Sequence, residues 1–446
     1  SCVRQHVPAS VLPLFRVAWP RKVCASIMCS EPSCWSLRVA WAETCEEIAC
    51  ISVDPAESTS TVLERTKGLL GLDSDAVRIR CLFAGVRLRP EETLAAAGLQ
   101  NGDKILLEKL PAVLVVTASA DQTARVWEAE SGKSVQVLSG HTGSVWHACF
   151  SPRNQLIATC SFDGTAKIWQ FGDSRCIRTL GGHTDAVRYA AFSPEGDTFV
   201  IASDDCKAML WSLQTGNCLN VLLGHTQALQ FVSFSFRGDC LATASADASA
   251  KVWSTDSGLC THTLLGHEGM VGSIVFSSDD KLLVSSSMDG TAKIWCAGSG
   301  QCLFSLLGHD DCVRHAVFSS DAAHVATASG DGTARLWCAR TGACLHTMTG
   351  HEYVRHVAIS PSGGILATAA YDDIVKLWDL SSGRCLRALR GHGGGSRHVS
   401  FSSSGELLVV AAQDGTAKIW RVQEGVLLHT LAGHSESISH ADFSLE

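Results

Sequence analysis

A Gly-His pair returns at nearly constant intervals along this chain, with its imidazole at His141, His183, His225, His267, His309, His351, His392 and His434. Every step is 42 residues except one of 41. Trp127, Trp169, Trp211, Trp253, Trp295, Trp337, Trp378 and Trp420 keep the same beat. Six residues before each Trp stands an Asp: Asp121, Asp163, Asp205, Asp247, Asp289, Asp331, Asp372 and Asp414. Eight coincident triplets mark copies of one structural unit, and such units bury their apolar faces by stacking on one another. The beat also accounts for 12 Trp against 3 Tyr.

Within one period, GHTGSVWHACFSP, LIATCSFDGTAKIW and CIRTLGGH supply four short apolar runs separated by Ser-Pro, Asp-Gly and Gly turns, which predicts four strands. This text resembles the WD40 family, whose repeats each supply four strands of a propeller blade. The resemblance covers residues 111–446, although only Trp378-Asp379 keeps the literal Trp-Asp pair. It implies a buried hydrogen-bond chain in each blade, running from the Gly-His imidazole through the turn Asp and a strand hydroxyl to the Trp indole N–H. The hydroxyl is expected two or four residues before the Asp. Ser119, Ser161, Ser203, Ser245, Ser287 and Ser329 fill the nearer position, with Thr117, Thr159, Thr243, Ser285 or Thr327 behind. The seventh unit has Thr368 behind Ala370, while the last has Val410 and Ala412, so the chain is expected to be incomplete there. Eight His-Asp pairs are read as packing, not as catalytic dyads, because an enzyme does not repeat one site around a ring.

The ends set the blade count. VLVVTASADQTARVW…VLSGH holds three strands and lacks the one that follows Gly-His; GHSESISHADFSLE supplies only that one. Joining them in one blade gives eight and leaves no open sheet edge.

Residues 35–110 read differently. WSLRVAW and IACISVD precede a helix candidate, STSTVLERTKGLLGL, and RIRCLFAG, VRLRPEETLAAAGLQNGD and KILLEKL follow. The order β-β-α-β-β, with Phe83-Ala84-Gly85 and Leu94…Gly98-Leu99…Gly102-Asp103, looks like a ubiquitin-like domain. Leu82 matches one corner of the ubiquitin binding patch, whereas Thr44 and Glu108 stand at the others, which argues against ordinary ubiquitin receptors. The run from Leu110 directly into the repeats has no Gly-Gly tail, so a built-in docking domain is expected and conjugation is not. The expected fold is therefore mainly β: an eight-bladed WD40 β-propeller closed by the C-terminal strand, preceded by an α+β ubiquitin-like (β-grasp) domain.

Residues 1–34 carry Arg4, Arg16, Arg21 and Lys22 against a lone Glu31. A targeting peptide, a disordered tail, or sequence translated upstream of a start at Met28 all fit that composition. Cys24, Cys29 and Cys34 brush zinc-ligand spacing without a fourth ligand, so no metal is expected.

A net charge of −8 offers no bulk attraction to nucleic acid or to an anionic membrane, and no apolar run is long enough to span one. The 20 Cys include Cys176, Cys218, Cys260, Cys302, Cys344 and Cys385, each seven residues before a Gly-His imidazole. One thiol per unit places equivalent sulfurs too far apart to bridge, and small buried hydrophobes in a reducing compartment are expected. With no Asn-x-Ser/Thr acceptor, an intracellular protein, cytoplasmic or nuclear, is expected. No phosphate-cradling loop, nucleophile elbow or zinc-protease helix is present, so neither catalysis nor a cofactor is expected.

A propeller without chemistry functions through its faces. The expected role is a non-enzymatic scaffold. Three alternatives remain open: a ubiquitin-ligase substrate adaptor, for which Trp337-Cys338-Ala339-Arg340 approaches the Trp-Asp-x-Arg motif; a ribosome-assembly factor, since the domain order is similar to the Notchless family; and a ciliary or centriolar transport adaptor. The contact surface is expected around the strand after each Gly-His, where the residue following its first apolar anchor reads Trp146, Arg188, Gln230, Gly272, Arg314, Arg355, Arg397 and Ser439. Phe162, Met270, Met288, Tyr353 and Tyr371 flank it. Arg314, Arg355 and Arg397 in consecutive blades beside aromatics point to acidic or phosphorylated peptide partners.

Overall fold

The computed structural model describes residues 35–42, 47–70, 79–84, 86–89, 92–109, 112–153, 155–391 and 393–445. The features noted in residues 1–34, together with Thr44, Leu110 and His392, lie outside them, as does the side chain of Glu108. The chain divides into two compact units, Ser1–Pro111 and Ala112–Glu446.

In the first unit, Trp35–Trp41 pairs antiparallel with Glu47–Val53 and parallel with Lys104–Lys109, placing Val39 opposite Ile105. Ile79–Phe83 and Val86–Arg87 complete a five-stranded sheet on the far side of Lys104–Lys109. Alternation along Trp35–Trp41 turns Leu37 and Val39 inward, where they meet Ile51, Val53, Ile105 and Leu107. One helix, Thr59–Leu69, starts at Ser58, whose side chain accepts from the Thr61 N–H as an N-cap. Its Val62 joins the buried cluster.

The second unit contains eight four-stranded antiparallel sheets. Seven take their strands from one continuous stretch each, as in Val145–Phe150, Leu156–Ser161, Ala166–Gln170 and Cys176–Leu180. The eighth joins Ile438–Phe443 to Leu114–Ser119, Thr123–Glu128 and Ser134–Ser139, with Ala441 opposite Thr117. The strands that follow Gly-His contact one another in succession from Val145–Phe150 to Ile438–Phe443, which then contacts Val145–Phe150. Apolar clusters lie between neighbouring sheets: Val116, Val126 and Leu138 of one pack with Val145, Ile157 and Trp169 of the next. The second strands read as unbroken buried runs because both of their faces are covered.

The recurring cysteines are a correction. Cys176, Cys218, Cys260, Cys302, Cys344 and Cys385 are exposed, not buried. Each opens the fourth strand of its sheet, an edge on which only one residue at or next to the far end, such as Leu180, Leu264 or Leu389, is fully packed. There the Cys176 thiol donates to the Arg178 carbonyl at 3.2 Å, and Cys260 to that of His262 at 3.4 Å. Cys81 and Cys160 are the buried thiols among the described residues.

Candidate interaction face

Six of the eight sheets are each locked from within by one hydrogen-bond chain. In the sheet of Trp169, His141 Nδ1 lies 2.8 Å from Asp163 Oδ2 and His141 Nε2 lies 2.8 Å from Thr159 Oγ1. A carboxylate only accepts, so Nδ1 carries the proton; Nε2 then accepts from the Thr159 hydroxyl. The same hydroxyl oxygen accepts from Trp169 Nε1–H at 2.8 Å. Equivalent chains join His225, Asp247, Thr243 and Trp253, and His267, Asp289, Ser285 and Trp295. They recur in His309, Asp331, Thr327 and Trp337, and in His351, Asp372, Thr368 and Trp378.

Burial alone would raise the Asp163 carboxyl, but hydrogen bonds from Thr165, the Thr142 N–H and His141 bring it down to about 2. Burial holds the His141 imidazole below its usual value despite the neighbouring carboxylate. These groups are a neutral imidazole and an ionised acceptor, fully engaged with each other.

Of the two positions expected for the bridging hydroxyl, the one four residues before the Asp is used wherever the chain is complete, and the expected extent of the chain needs correction. The nearer serine caps the turn instead: Ser161 Oγ accepts from the Asp163 N–H at 3.1 Å and donates to the Gly143 carbonyl at 3.0 Å. As a result the sheet of Trp211 is also incomplete, because Ile201 occupies the bridging position. His183 still reaches Asp205 at 2.9 Å, yet His183 Nε2 and Trp211 Nε1 are buried without a partner. In the last sheet Val410 stands at that position near Trp420, and Asp414 accepts from the Gly393 N–H at 2.8 Å.

The expected contact residues share a backbone irregularity. The register between first and second strands slips immediately after the anchor, so that Val313 faces Ser329 while His315 faces Ala328. Arg314 is the extra residue of a β-bulge. The same slip occurs at Arg188, Gln230, Gly272, Arg355, Arg397 and Ser439, and at Trp146 seen from the partner strand. A bulge re-aims one side chain out of the pleat. Simple alternation, used to assign these positions from the sequence, misses that cause.

Two sectors differ in charge. In one, the Trp146 ring lies 5.6 Å from the exposed Phe162 ring, and the Arg188 guanidinium sits 4.5 Å from the Trp146 centroid. Asp204 pairs with Arg188 and cancels its charge. In the other, Arg314 donates to the Tyr353 hydroxyl and Arg355 donates to the Tyr371 hydroxyl at 2.8 Å. The two tyrosine rings are 5.1 Å apart. A phenol accepts the bond without neutralising the cation. Arg397 Nε is buried without a partner, and burial together with the charge of Arg355 holds its guanidinium below its ordinary value. Among the described residues no carboxylate forms an ion pair with Arg314, Arg355 or Arg397; Asp310, Asp311 and Glu352 do not reach them. Met270 and Met288, joined by a backbone hydrogen bond of 2.9 Å, add half-buried apolar surface on another sheet. Among the described residues no three His, Cys, Asp or Glu are arranged to hold a metal ion, and no helix is long and apolar enough to cross a membrane.

The family model for the WD domain, G-beta repeat, matches residues 132–170, 174–212, 216–254, 258–296, 300–338, 342–379 and 383–421. These spans cover more than half of the chain, which belongs to the WD40 repeat family. Proteins built from such repeats form β-propellers and mediate protein–protein interaction. No curated protein matches the chain. Each matched span straddles two sheets, because the fourth strand of one sheet opens the next repeat, as Ser134–Ser139 opens the first span. The unmatched residues 112–131 and 422–446 hold the strands that pair across the ends of the chain.

Proposed function

We propose that this protein is a non-enzymatic scaffold whose eight-bladed propeller, closed by its C-terminal strand, holds an acidic or phosphorylated segment of a partner protein. The observation that carries this reading is the group of three arginines at successive bulges, free of carboxylate partners among the described residues and backed by Tyr353 and Tyr371. Guanidinium groups pair bidentately with carboxylate or phosphate, and tyrosines supply rigid contact area. The succession of eight sheets, with Ile438–Phe443 completing the first, supports the blade count. The sheet order and the helix Thr59–Leu69 of the first unit support a ubiquitin-like docking domain, which would give the scaffold a second contact surface.

Affinity purification of the full chain with mass spectrometry tests the reading. It predicts a defined set of protein partners, and their identity as large-ribosomal-subunit precursors, cullin subunits or ciliary proteins separates the possible pathways. Recovery of no stable partner would count against a scaffold.

A further inference from the structure

One position past each bulge, the first strands carry His147, Tyr189, Phe231, Ser273, His315, His356, His398 and His440. Because these strands contact one another in closed succession, the eight side chains form a layer. The rings follow at centroid separations of 3.9 Å for His315–His356, 4.1 Å for His356–His398, 4.0 Å for His398–His440 and 4.2 Å for His440–His147. His147–Tyr189 at 3.9 Å and Tyr189–Phe231 at 4.1 Å continue the stack. Ser273, bonded to Ser286 Oγ at 2.8 Å, fills the remaining place.

Imidazoles packed ring against ring, at 24° for His315–His356 and 39° to 53° for the other pairs, do not converge on a metal ion, in line with the absence of a ligand cluster among the described residues. Nδ1 of His147 and of His356 is buried without a hydrogen-bond partner, while His398 Nδ1 meets the Ala441 carbonyl at 3.0 Å, and the Val357 and Ala148 backbone carbonyls offset part of the burial at His315 and His440. The charged neighbours are unfavourable to a further cation. Arg314, Arg355 and Arg397 immediately precede three of the rings, and Arg188, tied to Asp204, precedes Tyr189. The carboxyl on these strands is Asp442, half-buried and accepting from Ser400 Oγ at 2.7 Å; desolvation raises the Cys149 thiol and the Tyr189 phenol and keeps both neutral.

We propose that this axial ring is an acid-sensing element of the protein, neutral and closely packed near neutral pH and forced apart when protons enter it. His147 and His440 are buried and His315, His356 and His398 half-buried; desolvation pushes His147 to about 3 and His315 to about 4. Burial, then the neighbouring imidazoles, hold His356, His398 and His440 well below the usual range, and Arg355 adds to this at His356 and His398. A group depressed in the fold but ordinary when unfolded favours unfolding as the pH drops below about 6.5. Asp442, raised by burial, acts in the opposite sense, but it is one group against five.

Tyr189 and Phe231 show that a ring without a titrating imidazole fits the layer, so the test is the full chain carrying H315F, H356F and H398F. Urea midpoints between pH 7.5 and 5.0 give the protons taken up on unfolding. The variant should take up about three fewer than the parent near pH 5. Equal uptake would overturn the proposal. Imidazole carbon NMR of the parent at pH 5.5 decides independently, should the variant fail to fold. Neutral His315, His356 and His398 are expected there, and charged rings in an intact fold would overturn it.

Discussion

His434 Nε2 lies 2.8 Å from Thr117 Oγ1, across 317 residues of chain. Trp127 Nε1–H donates to the same hydroxyl at 2.9 Å, and Asp121 holds His434 Nδ1 at 2.8 Å. One sheet is therefore assembled from both ends of the repeat array and locked by the same four groups as five of the others. Removing residues 434–446 takes away the imidazole and the strand Ile438–Phe443 together, leaving the wholly buried strand Leu114–Ser119 as an open edge. The truncated chain should aggregate, or melt well below the parent, in light scattering and thermal denaturation. A soluble monomer with an unchanged melting temperature would contradict the closure.

The bridging hydroxyl gives a pair of substitutions with opposite signs. Thr243→Val keeps the shape but orphans His225 Nε2 and Trp253 Nε1, at a cost of about 2–4 kcal/mol. Ile201→Thr supplies the partner that His183 Nε2 and Trp211 Nε1 lack. After the loss of buried apolar volume it should still gain about 1 kcal/mol. Urea denaturation of both variants checks this. A destabilised Ile201→Thr would show that the polar chain contributes less than the packing it displaces.

Much of this was legible from spacing. Gly-His, Asp and Trp recur because the same unit is repeated, so periodicity alone located His141, Asp163 and Trp169 and the strands around them. Which hydroxyl bridges was not legible, since Ser161 and Thr159 are equally plausible donors until the strand register is known. The slip that re-aims Arg314 is a backbone event with no residue signature. The exposed thiols were misread because a strand that closes a blade has only one packed end, which composition does not reveal. The axial ring did leave a signal, Val-Trp-His147, Val-Arg-His315, Val-Arg-His356, Ser-Arg-His398 and Ile-Ser-His440. The more regular Gly-His pattern obscured it.

The turn carboxylates predict an acid dependence of their own. Burial raises Asp247, but Ser249, the Thr226 N–H and His225 hold it down at about 2. A depressed carboxyl stabilises the fold above its unfolded value near 4, and that contribution is lost as the pH falls through the folded value. Asp247→Asn should therefore lower the melting temperature most at pH 6, with the gap to the parent narrowing between pH 4 and 2. A gap that stays constant over that window would show that ionisation of Asp247 is not what stabilises the turn.

Thiol accessibility should divide the cysteines sharply. Iodoacetamide applied to the native protein should alkylate Cys176, Cys218, Cys260, Cys302, Cys344 and Cys385 within minutes. Cys81, whose thiol burial pushes up to about 12, and Cys160 should react only after unfolding. Peptide mapping by mass spectrometry reads both classes. Protection of the six edge thiols would mean that a partner or a second copy covers the outer strands.

Partner binding through the arginines that lack carboxylate partners is tested most directly by the triple variant Arg314→Glu, Arg355→Glu, Arg397→Glu. The side chains are half-buried at bulges, so the melting temperature is compared first, and the single variant Arg355→Glu serves if the triple one is unstable. The measurement is quantitative recovery of partner proteins by the folded variant against the parent. Loss of at least one partner that the parent retains, with the others unchanged, is the predicted result. A folded variant that recovers every partner at parental levels would show that this sector is not the binding surface.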